Sequence, residues 1–377
     1  MSNSQSSALT LERDFQVVAD AFNANFAERG EVGAAICVIK DGRVVLDMFG
    51  GWRSAARSDQ WREDTLVNVW STTKGVSAGC FAMLVDAGRC CYADRVARYW
   101  PEFAAGGKEG ITIAQLLSHQ AGLCGFTSPS TIDDLLAGKL AAARLASQAP
   151  IWALDGSTGY HAITGGILAT ELFSRIEGRS MREFVAEELR SKRGFDISIG
   201  LEPQDETRRA ELIAPPEMDS TQIASLSDAQ IAALGNPPLD PLIPNQAKWR
   251  AADLPSANGH SNARAIAHFY AALIGQGPGE RLIRPETLAQ ATTQLAEGTD
   301  RVLAVHSRWG AGFLLNAQGV YGPSDTAFGH SGWGGSFGMA DPANGLAISY
   351  TMNRMGADLR NDPRNAALIA AVYTAIG

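Results

Sequence analysis

The sequence has few cysteines, no long hydrophobic run and no block of like charge. Its five cysteines are an odd number without Cys-x-x-Cys spacing, which indicates reduced thiols in a cytoplasmic protein and excludes a zinc site or a disulfide framework. No run of about eighteen apolar residues is present, so no membrane-spanning helix is expected. The net charge of −8 is spread along the chain, which excludes a basic nucleic-acid surface. The N-terminal residues lack the basic and apolar segments of a signal peptide.

The hydrophobic pattern predicts helices and strands at both ends of the chain and mainly helices between them. With 377 residues and 45% hydrophobic content, the chain is long enough for one large domain or two smaller ones. Asp41-Gly42 between two apolar runs indicates a tight hairpin turn. The predicted helices span 9–27, 74–87, 112–117, 132–146, 164–177, 261–274 (capped by Ser261), a segment starting at 284–285, and 363–376; the predicted strands span 33–40, 43–50, 65–70, 309–315, 336–340 and 346–352.

These elements predict an α+β fold. The strands do not alternate regularly with helices, which disfavours a doubly wound parallel sheet. We therefore expect one antiparallel sheet, built from both termini and flanked by helices, with a mainly helical inserted domain. In this division residues 1–90 together with 245–377 form the sheet domain, residues 91–244 form the helical domain, and the functional site lies in the cleft between them.

A serine and a lysine stand three positions apart in Ser71-Thr72-Thr73-Lys74, where a strand-like run gives way to a helix. Positions i and i+3 lie on one face of a helix, so the Lys74 ammonium can reach the Ser71 hydroxyl. The first N–H groups of a helix lack intrahelical partners, and the helix dipole favours negative charge there. Ser71 is therefore a candidate nucleophile whose own N–H can bind an oxyanion. The alternative for so short a motif is a serine near a helix cap beside a solvated lysine.

A second serine motif overlaps the first. Gly75-Val76-Ser77-Ala78-Gly79 has the Gly-x-Ser-x-Gly pattern of a nucleophile elbow, which requires a strained turn between a parallel strand and a helix. Here the pattern lies inside the predicted apolar helix. We therefore interpret its small residues as a helix-packing surface and prefer Ser71 over Ser77 as the nucleophile.

Three further motifs follow in order. They are Leu116-Leu117-Ser118-His119 with Gln-Ala-Gly-Leu after it, Tyr160-His161-Ala162, and His330-Ser331-Gly332-Trp333. With these motifs in this order over nearly its whole length, the chain resembles the class C β-lactamase and penicillin-binding-protein superfamily and, within it, the β-lactamase-like carboxylesterases called family VIII. The resemblance implies the serine β-lactamase-like fold and an acyl-enzyme mechanism without a cofactor or a metal ion.

The resemblance also implies a role for each catalytic candidate. Ser71 attacks the acyl carbonyl, and Lys74 and Tyr160 activate it. Lys74 is expected to stay protonated and to lower the pKa of the Tyr160 hydroxyl, although either residue is a candidate for the formal base. The backbone N–H groups of Ser71 and Trp333 form the oxyanion hole, with Trp333 on the strand edge that begins at His330.

Two positions depart from the superfamily pattern. Ala162 stands where relatives carry Asn, and His330 stands where they carry Lys. A histidine with an unshifted pKa is mostly neutral at pH 7. Both departures therefore weaken the recognition of carboxylate-bearing β-lactams and favour neutral esters.

The predicted substrate-binding residues come from three parts of the chain. They are His330, Ser331, Gly332, Trp333, Trp152 and His161. Trp152 and Trp333, with Trp309, are candidates for an apolar acyl or alcohol pocket. A surface position is the alternative for His161, a core position is the alternative for Trp309, and His119 is interpreted as structural.

The sequence thus predicts a serine carboxylesterase that hydrolyses short-chain carboxylic esters through an acyl-enzyme on Ser71. Alternatives on the same fold are a β-lactamase, a D-amino-acid peptidase and an acyltransferase. The non-enzyme alternative is a silent penicillin-binding-like module, which the intact Ser71, Lys74 and Tyr160 disfavour. The expected partner is a small-molecule ester, with no nucleic acid and no membrane. The sequence leaves the natural ester and the oligomeric state open.

Overall fold

Strands from both ends of the chain form one large antiparallel sheet. The computed structural model describes residues 6–216, 226–277, 279–357 and 362–377. The expectation that the N-terminus is not a signal peptide concerns residues that lie partly outside these ranges. The strands are β1 (Ser7–Leu11), β2 (Gly33–Lys40), β3 (Arg43–Gly51), β4 (Val67–Asn68), β5 (Ile197–Ile199), β6 (Gly259–Ser261), β7 (Ala296–Thr299), β8 (His306–Trp309), β9 (Leu314–Leu315), β10 (Phe328–Ser331), β11 (Phe337–Asp341) and β12 (Leu346–Met352). Nine of them form the sheet in the order β1-β3-β2-β12-β11-β10-β9-β8-β7, and β4-β6-β5 form a small second sheet.

The α-helices cover both faces of the large sheet and make up most of the insertion. They are α1 (Gln16–Glu28), α2 (Thr73–Asp86), α3 (Ile113–Leu117), α4 (Ile132–Leu135), α5 (Lys139–Ser147), α6 (Thr164–Glu177), α7 (Met181–Phe184), α8 (Asp228–Leu234), α9 (Ala247–Arg250), α10 (Ala263–Leu273), α11 (Pro285–Thr292) and α12 (Pro363–Ile376). The helix α1 packs against α12, and α10 packs against β2, β11 and β12.

The alternation of side chains along the strands places these helices on opposite faces. Phe337 pairs with Tyr350, and the Tyr350 ring lies 6.4 Å from the ring of Phe22 in α1. The neighbouring Gly338 has its open side against Ile266 of α10. Because successive residues of a strand point to opposite faces, α1 and α12 cover one face and α10 covers the other. The buried side chains between these layers form a continuous hydrophobic core.

Near the N-terminus, the predicted helix over 9–27 begins too early. The first part of this segment belongs to β1, which pairs with β3 at the edge of the sheet, and α1 begins only at Gln16. The edge pairing satisfies the backbone groups of this segment without a helix. Val18 and Phe22 nevertheless face the core as the helical stripe predicts.

Three other predicted boundaries are wrong. The helix over 132–146 is broken into α4 and α5, since Gly138 adopts a left-handed φ of +57° before α5. The cap of α10 is Asn262, whose side chain accepts from the N–H of Ala265, and Ser261 is the last residue of β6. The strand over 309–315 is two strands, because a hydrogen bond from the N–H of Gly310 to the carbonyl of Phe313 closes a turn between β8 and β9.

The predicted α+β fold, with an antiparallel sheet built from both termini and flanked by helices, is confirmed. The division at 90/91 and 244/245 stays a prediction. The small sheet crosses this division, because β5 from the helical segment pairs with β6. Within the described ranges, no helix combines the length and the apolar character that crossing a membrane requires.

Candidate active site

Ser71 lies in a tight turn between β4 and α2. The residue before it, Trp70, has a left-handed φ of +45°, a strained conformation for a bulky residue that costs on the order of 1–3 kcal/mol. The surroundings hold this conformation: the N–H of Trp70 donates to Asn68 Oδ1 at 3.0 Å, and the Trp70 ring packs against Trp249 at 5.6 Å and Trp333 at 5.1 Å. The half-buried Ser71 is therefore presented at the start of α2 by a fixed turn.

Lys74 reaches Ser71 as the motif predicts. Its Nζ lies 3.1 Å from Ser71 Oγ, 2.6 Å from the carbonyl oxygen of Ala162 and 2.8 Å from the carbonyl oxygen of Ser256. The Lys74 side chain is buried, and no carboxylate of the described chain lies within ion-pair distance of it. The amino group thus joins the nucleophile to two segments far away in the sequence.

The surroundings of Lys74 lower the pKa of its amino group. Burial lowers the pKa of Lys74 well below the ordinary 10.5, because the charged form loses its hydration there. A carbonyl oxygen only accepts hydrogen bonds, so the amino group donates to Ala162 and Ser256 in either protonation state. The ammonium form also donates to Ser71 Oγ, whereas the neutral form would turn its lone pair towards the Ser71 hydroxyl. The lowered pKa makes Lys74 a candidate base, and the expectation that it stays protonated stays a prediction.

Tyr160 lies beside the same amino group. The ring centroid of Tyr160 is 4.8 Å from Lys74 Nζ, and the ring packs against His119 at 4.9 Å, Trp309 at 5.9 Å and His330 at 6.1 Å. Tyr160 and Ser71 line one small cavity. The structure therefore brings the three residues of the predicted catalytic set together.

Two backbone N–H groups at this cavity are available for an oxyanion. Within the described residues, the N–H groups of Ser71 and Trp333 donate no hydrogen bond, although both residues line the cavity. One correction applies to Trp333. It lies after the end of β10, in a turn closed by hydrogen bonds from the N–H of Gly332 to the carbonyl of Ser336 and from the N–H of Gly335 to the carbonyl of Gly332.

Gly332 allows this turn to lie directly on the turn of Ser71. A Cβ at position 332 would stand 2.2 Å from the carbonyl oxygen of Val69 and 2.4 Å from Ser336 Oγ, which is too close for any side chain. Ser336 also donates to Val69 and lies 2.9 Å from Thr72 Oγ1. The two turns that carry the candidate oxyanion donors are thus fastened to each other.

His330 and Ser331 lie where the sequence predicts, at the edge of this cavity. Nδ1 of His330 donates to the carbonyl oxygen of Ser331 at 2.9 Å, since a carbonyl can only accept. The His330 side chain is buried and stacks on Tyr160. Ser331 Oγ lies 3.3 Å from the hydroxyl of Tyr321, on the way to a second cavity that Gly332 also lines.

The structure does not bring His161 or Trp152 to the Ser71 cavity. His161 is buried: its Nδ1 donates to the carbonyl of Gly159 at 2.7 Å, and its Nε2 accepts from the N–H of Leu123 at 3.0 Å. Burial lowers the pKa of His161 to about 4, so the ring is neutral and ties two loops. Trp152 is half-buried between Gly159 and Arg301 and does not line the cavity. Neither residue lines this cavity, and the assignment of both as substrate-binding residues stays a prediction.

Ser77 lies inside α2, as predicted for the elbow-like motif. Its buried hydroxyl donates to the carbonyl oxygens of Pro255 at 2.6 Å and Thr73 at 3.2 Å. Gly75 and Gly79 on either side pack against Tyr270 and Phe269 of α10. The motif is a helix-packing surface.

The comparisons with known proteins place the chain in a family. The Beta-lactamase family matches residues 18–371. The chain belongs to the Beta-lactamase family. A protein named esterase/beta-lactamase LipL from Mycobacterium tuberculosis is 33% identical over 354 residues, which cover 90% of this chain and 81% of that protein. The crystal structure of a family VIII carboxylesterase is 41% identical, has a TM-score of 0.93, and covers 98% of this chain and 100% of that chain.

A penicillin-binding-protein homologue from Caulobacter crescentus is equally similar in fold. It is 39% identical, has a TM-score of 0.92, and covers 98% of this chain and 100% of that chain. The resemblance to β-lactamase-like proteins of the family VIII type, which the motifs indicated, is therefore confirmed.

Three residues of this Beta-lactamase family member escaped the sequence reasoning. Ser256 contacts Lys74 through a backbone carbonyl, Leu303 lines the Ser71 cavity, and Asp300 binds the backbone of Tyr160. Every residue type has a backbone carbonyl, so no motif marks Ser256. Asp300 and Leu303 lie in the loop that joins β7 to β8. The sequence analysis did not predict this pair of strands.

Proposed function

We propose that this protein is a serine carboxylesterase that hydrolyses short-chain carboxylic esters through an acyl-enzyme on Ser71. The single observation that carries the proposal is the Lys74 amino group, which donates to two backbone carbonyls and has its third contact with Ser71 Oγ. Family membership and the 33% identical relative named esterase/beta-lactamase support a serine hydrolase.

In the proposed acylation step, the Lys74 amine takes the hydroxyl proton while Ser71 Oγ attacks the ester carbonyl carbon. The carbonyl oxygen becomes an oxyanion that the N–H groups of Ser71 and Trp333 bind. When the intermediate collapses, the bond to the alcohol oxygen breaks, and the proton returns from Lys74 to the leaving alcohol through the Tyr160 hydroxyl. An acyl group then remains on Ser71.

Deacylation repeats the same steps with water. Lys74 and Tyr160 take a proton from water, whose oxygen attacks the acyl carbon, and the oxyanion forms again in the same hole. Collapse releases the carboxylic acid and returns the proton to Ser71 Oγ. The sum is one ester and one water converted to one acid and one alcohol.

The lining of the cavity favours a small neutral acyl group. The cavity volume is about 50 Å³, which is room for roughly four water-sized groups. Its walls include Leu303, Trp309, Leu314 and Trp333, and neither lysine nor arginine is among the described residues that line it. A carboxylate-bearing substrate would lack a permanent cation at this wall. β-Lactam hydrolysis is the second candidate, since the name of LipL includes both activities.

The proposal is tested by comparing two serines of the same helix region. Ser71→Ala should remove nearly all turnover of p-nitrophenyl acetate and butyrate, by roughly three or more orders of magnitude, and should abolish labelling by a fluorophosphonate probe. Ser77→Ala is the matched control and should keep both. The assignment would be refuted if Ser71→Ala were still fully labelled. It would also be refuted if only the folded Ser77→Ala variant lost its labelling.

A further inference from the structure

Asp300 is a buried carboxylate next to the active site that the catalytic steps above do not use. One of its oxygens, Oδ1, accepts three backbone N–H groups: that of Tyr160 at 3.0 Å, that of Val302 at 2.9 Å and that of Leu303 at 2.9 Å. Asp300 is 1% exposed. A carboxylate oxygen with three N–H donors makes stronger hydrogen bonds than a neutral acceptor does.

The three N–H groups belong to two different walls of the Ser71 cavity. Tyr160 comes from the loop before α6, whereas Leu303 comes from the loop between β7 and β8, and both line the cavity. One oxygen atom thus fixes the position of the candidate proton carrier and of an apolar wall relative to each other. The shared acceptor makes the separation of these two residues insensitive to the rest of either loop.

The joint between the two loops has a second, more exposed part. The N–H of Arg301 donates to the carbonyl of Thr158 at 2.8 Å. The Arg301 guanidinium contacts Ser157 Oγ at 2.8 Å and Asp155 at 3.2 Å, with both charged side chains substantially exposed. Exposed ion pairs contribute little to stability. The joint therefore offers one buried and one exposed set of contacts that can be removed separately.

The second oxygen of Asp300 accounts for the cost of this arrangement. Oδ2 is buried and has no hydrogen-bond partner among the described residues. A buried polar atom without a protein partner is costly, whereas the three N–H donors to Oδ1 stabilise the same carboxylate. The hydrogen bonds of Asp300 to the protein are therefore concentrated on the oxygen that joins the two loops.

We propose that Asp300 is a positioning residue. It holds the backbone of Tyr160 so that the Tyr160 hydroxyl can exchange the proton that passes between Ser71 and Lys74. This inference rests on the proposed role of Tyr160. Asp300 contacts no reacting atom and acts through the N–H of Tyr160. Its loss displaces Tyr160 and lowers kcat, while the binding of a small ester, and hence KM, changes little.

The test is a double-mutant cycle with p-nitrophenyl butyrate. Asp300→Ala should lower kcat by about 30-fold or more in the parent and by less than about threefold in a Tyr160→Phe background, because the misplaced group is already absent there. Asp300→Asn retains one acceptor oxygen and should recover most of the activity. Arg301→Met, which removes the exposed part of the same joint, should keep kcat within about threefold of the parent.

Each alternative gives a different pattern. Equal losses from Asp300→Ala in both backgrounds, or an equal loss from Arg301→Met, would overturn the inference in favour of general loosening of the joint. If Asp300→Ala does not fold, as judged by circular dichroism, the same cycle run with Asp300→Leu decides, since this variant removes the acceptor and nearly preserves the side-chain volume. A Tyr160→Phe variant with parental kcat would instead refute the role of Tyr160 in the proposed function.

Discussion

Two buried lysines lie in different regions of this molecule and differ in one contact. Lys108, in the helical segment, donates to three carbonyl oxygens, those of Ala105 at 2.5 Å, Ala146 at 2.9 Å and Gln148 at 2.5 Å. Lys74 donates to two carbonyls, and its third contact is the hydroxyl of Ser71. Burial lowers the pKa of both amino groups, and that of Lys74 lies well below 10.5.

The different third contact decides what each lysine can do. Carbonyl oxygens only accept, so Lys108 needs all three N–H groups of its ammonium form, and its deprotonation would leave one buried carbonyl without a donor. Ser71 can reverse its role and donate to the Lys74 lone pair. Burial alone therefore does not make a base. A buried lysine becomes one when a neighbour can supply the proton that it takes up.

The largest expected difference between the two lysines is in turnover. Lys74→Met should lower kcat for p-nitrophenyl butyrate by roughly three to four orders of magnitude, because proton transfer acts in the transition state. Lys108→Met should leave the kcat of the folded protein within about threefold of the parent. Steady-state kinetics at equal concentrations of folded protein, as judged by circular dichroism, measures both. Similar kcat values for the two variants would break the comparison.

The two lysine substitutions should rank in the opposite order by their effect on the free energy of unfolding. Lys108→Met leaves three carbonyls without their donor and should lower the free energy of unfolding by about 2–4 kcal/mol. Lys74→Met leaves two carbonyls without their donor but also removes an amino group whose burial is costly, and it should cost less. Urea unfolding followed by circular dichroism gives both values. A larger loss for Lys74→Met than for Lys108→Met contradicts this assignment of a structural and a reactive lysine.

A lysine introduced at position 330 would extend the comparison to the choice of substrate. His330→Lys places a cation at the cavity wall, where a carboxylate-bearing lactam lacks one. A charge-assisted hydrogen bond contributes about 1.5–3 kcal/mol, so the ratio of kcat/KM for nitrocefin to that for p-nitrophenyl butyrate should rise by about one to two orders of magnitude. His330→Gln is the neutral control and should leave the ratio near that of the parent. A parent protein that prefers nitrocefin would contradict the choice of neutral esters.

Parts of the fold were predictable because local signals and tertiary packing agree there. The bounds of α6, β12 and α12 match the predicted 164–177, 346–352 and 363–376, since each combines a clear apolar pattern with a turn, a glycine or a proline at its end. The helix over 9–27 and the strand over 309–315 failed where an edge pairing and a four-residue turn override the local pattern.

The candidate active site likewise has a part that the sequence predicts and a part that it does not. Ser71, Lys74 and Tyr160 carry recognisable motifs, and the structure brings them together: Ser71 and Tyr160 line one cavity, and Lys74 contacts both. The lowered pKa of Lys74 was not predictable, because it depends on burial by residues distant in sequence, and no motif marks the carbonyl of Ser256. Trp152 was predicted as part of an apolar pocket and His161 as a neighbour of Tyr160, but in the structure they pack against Gly159 and Leu123 in the surrounding loops.

The central claim is that Lys74 is the base that takes up the Ser71 hydroxyl proton, and a direct titration tests it. The chain has six lysines, so carbon-13 NMR of protein labelled at lysine Cε, with Lys74→Met to assign the signal, can follow each amino group. Because the amine is the active form, kcat/KM should rise with pH through the Lys74 pKa. The account predicts that Lys74 titrates well below 10.5, in step with this rise. A Lys74 signal that stays that of an ammonium ion up to pH 10.5 in the fully active enzyme would contradict it.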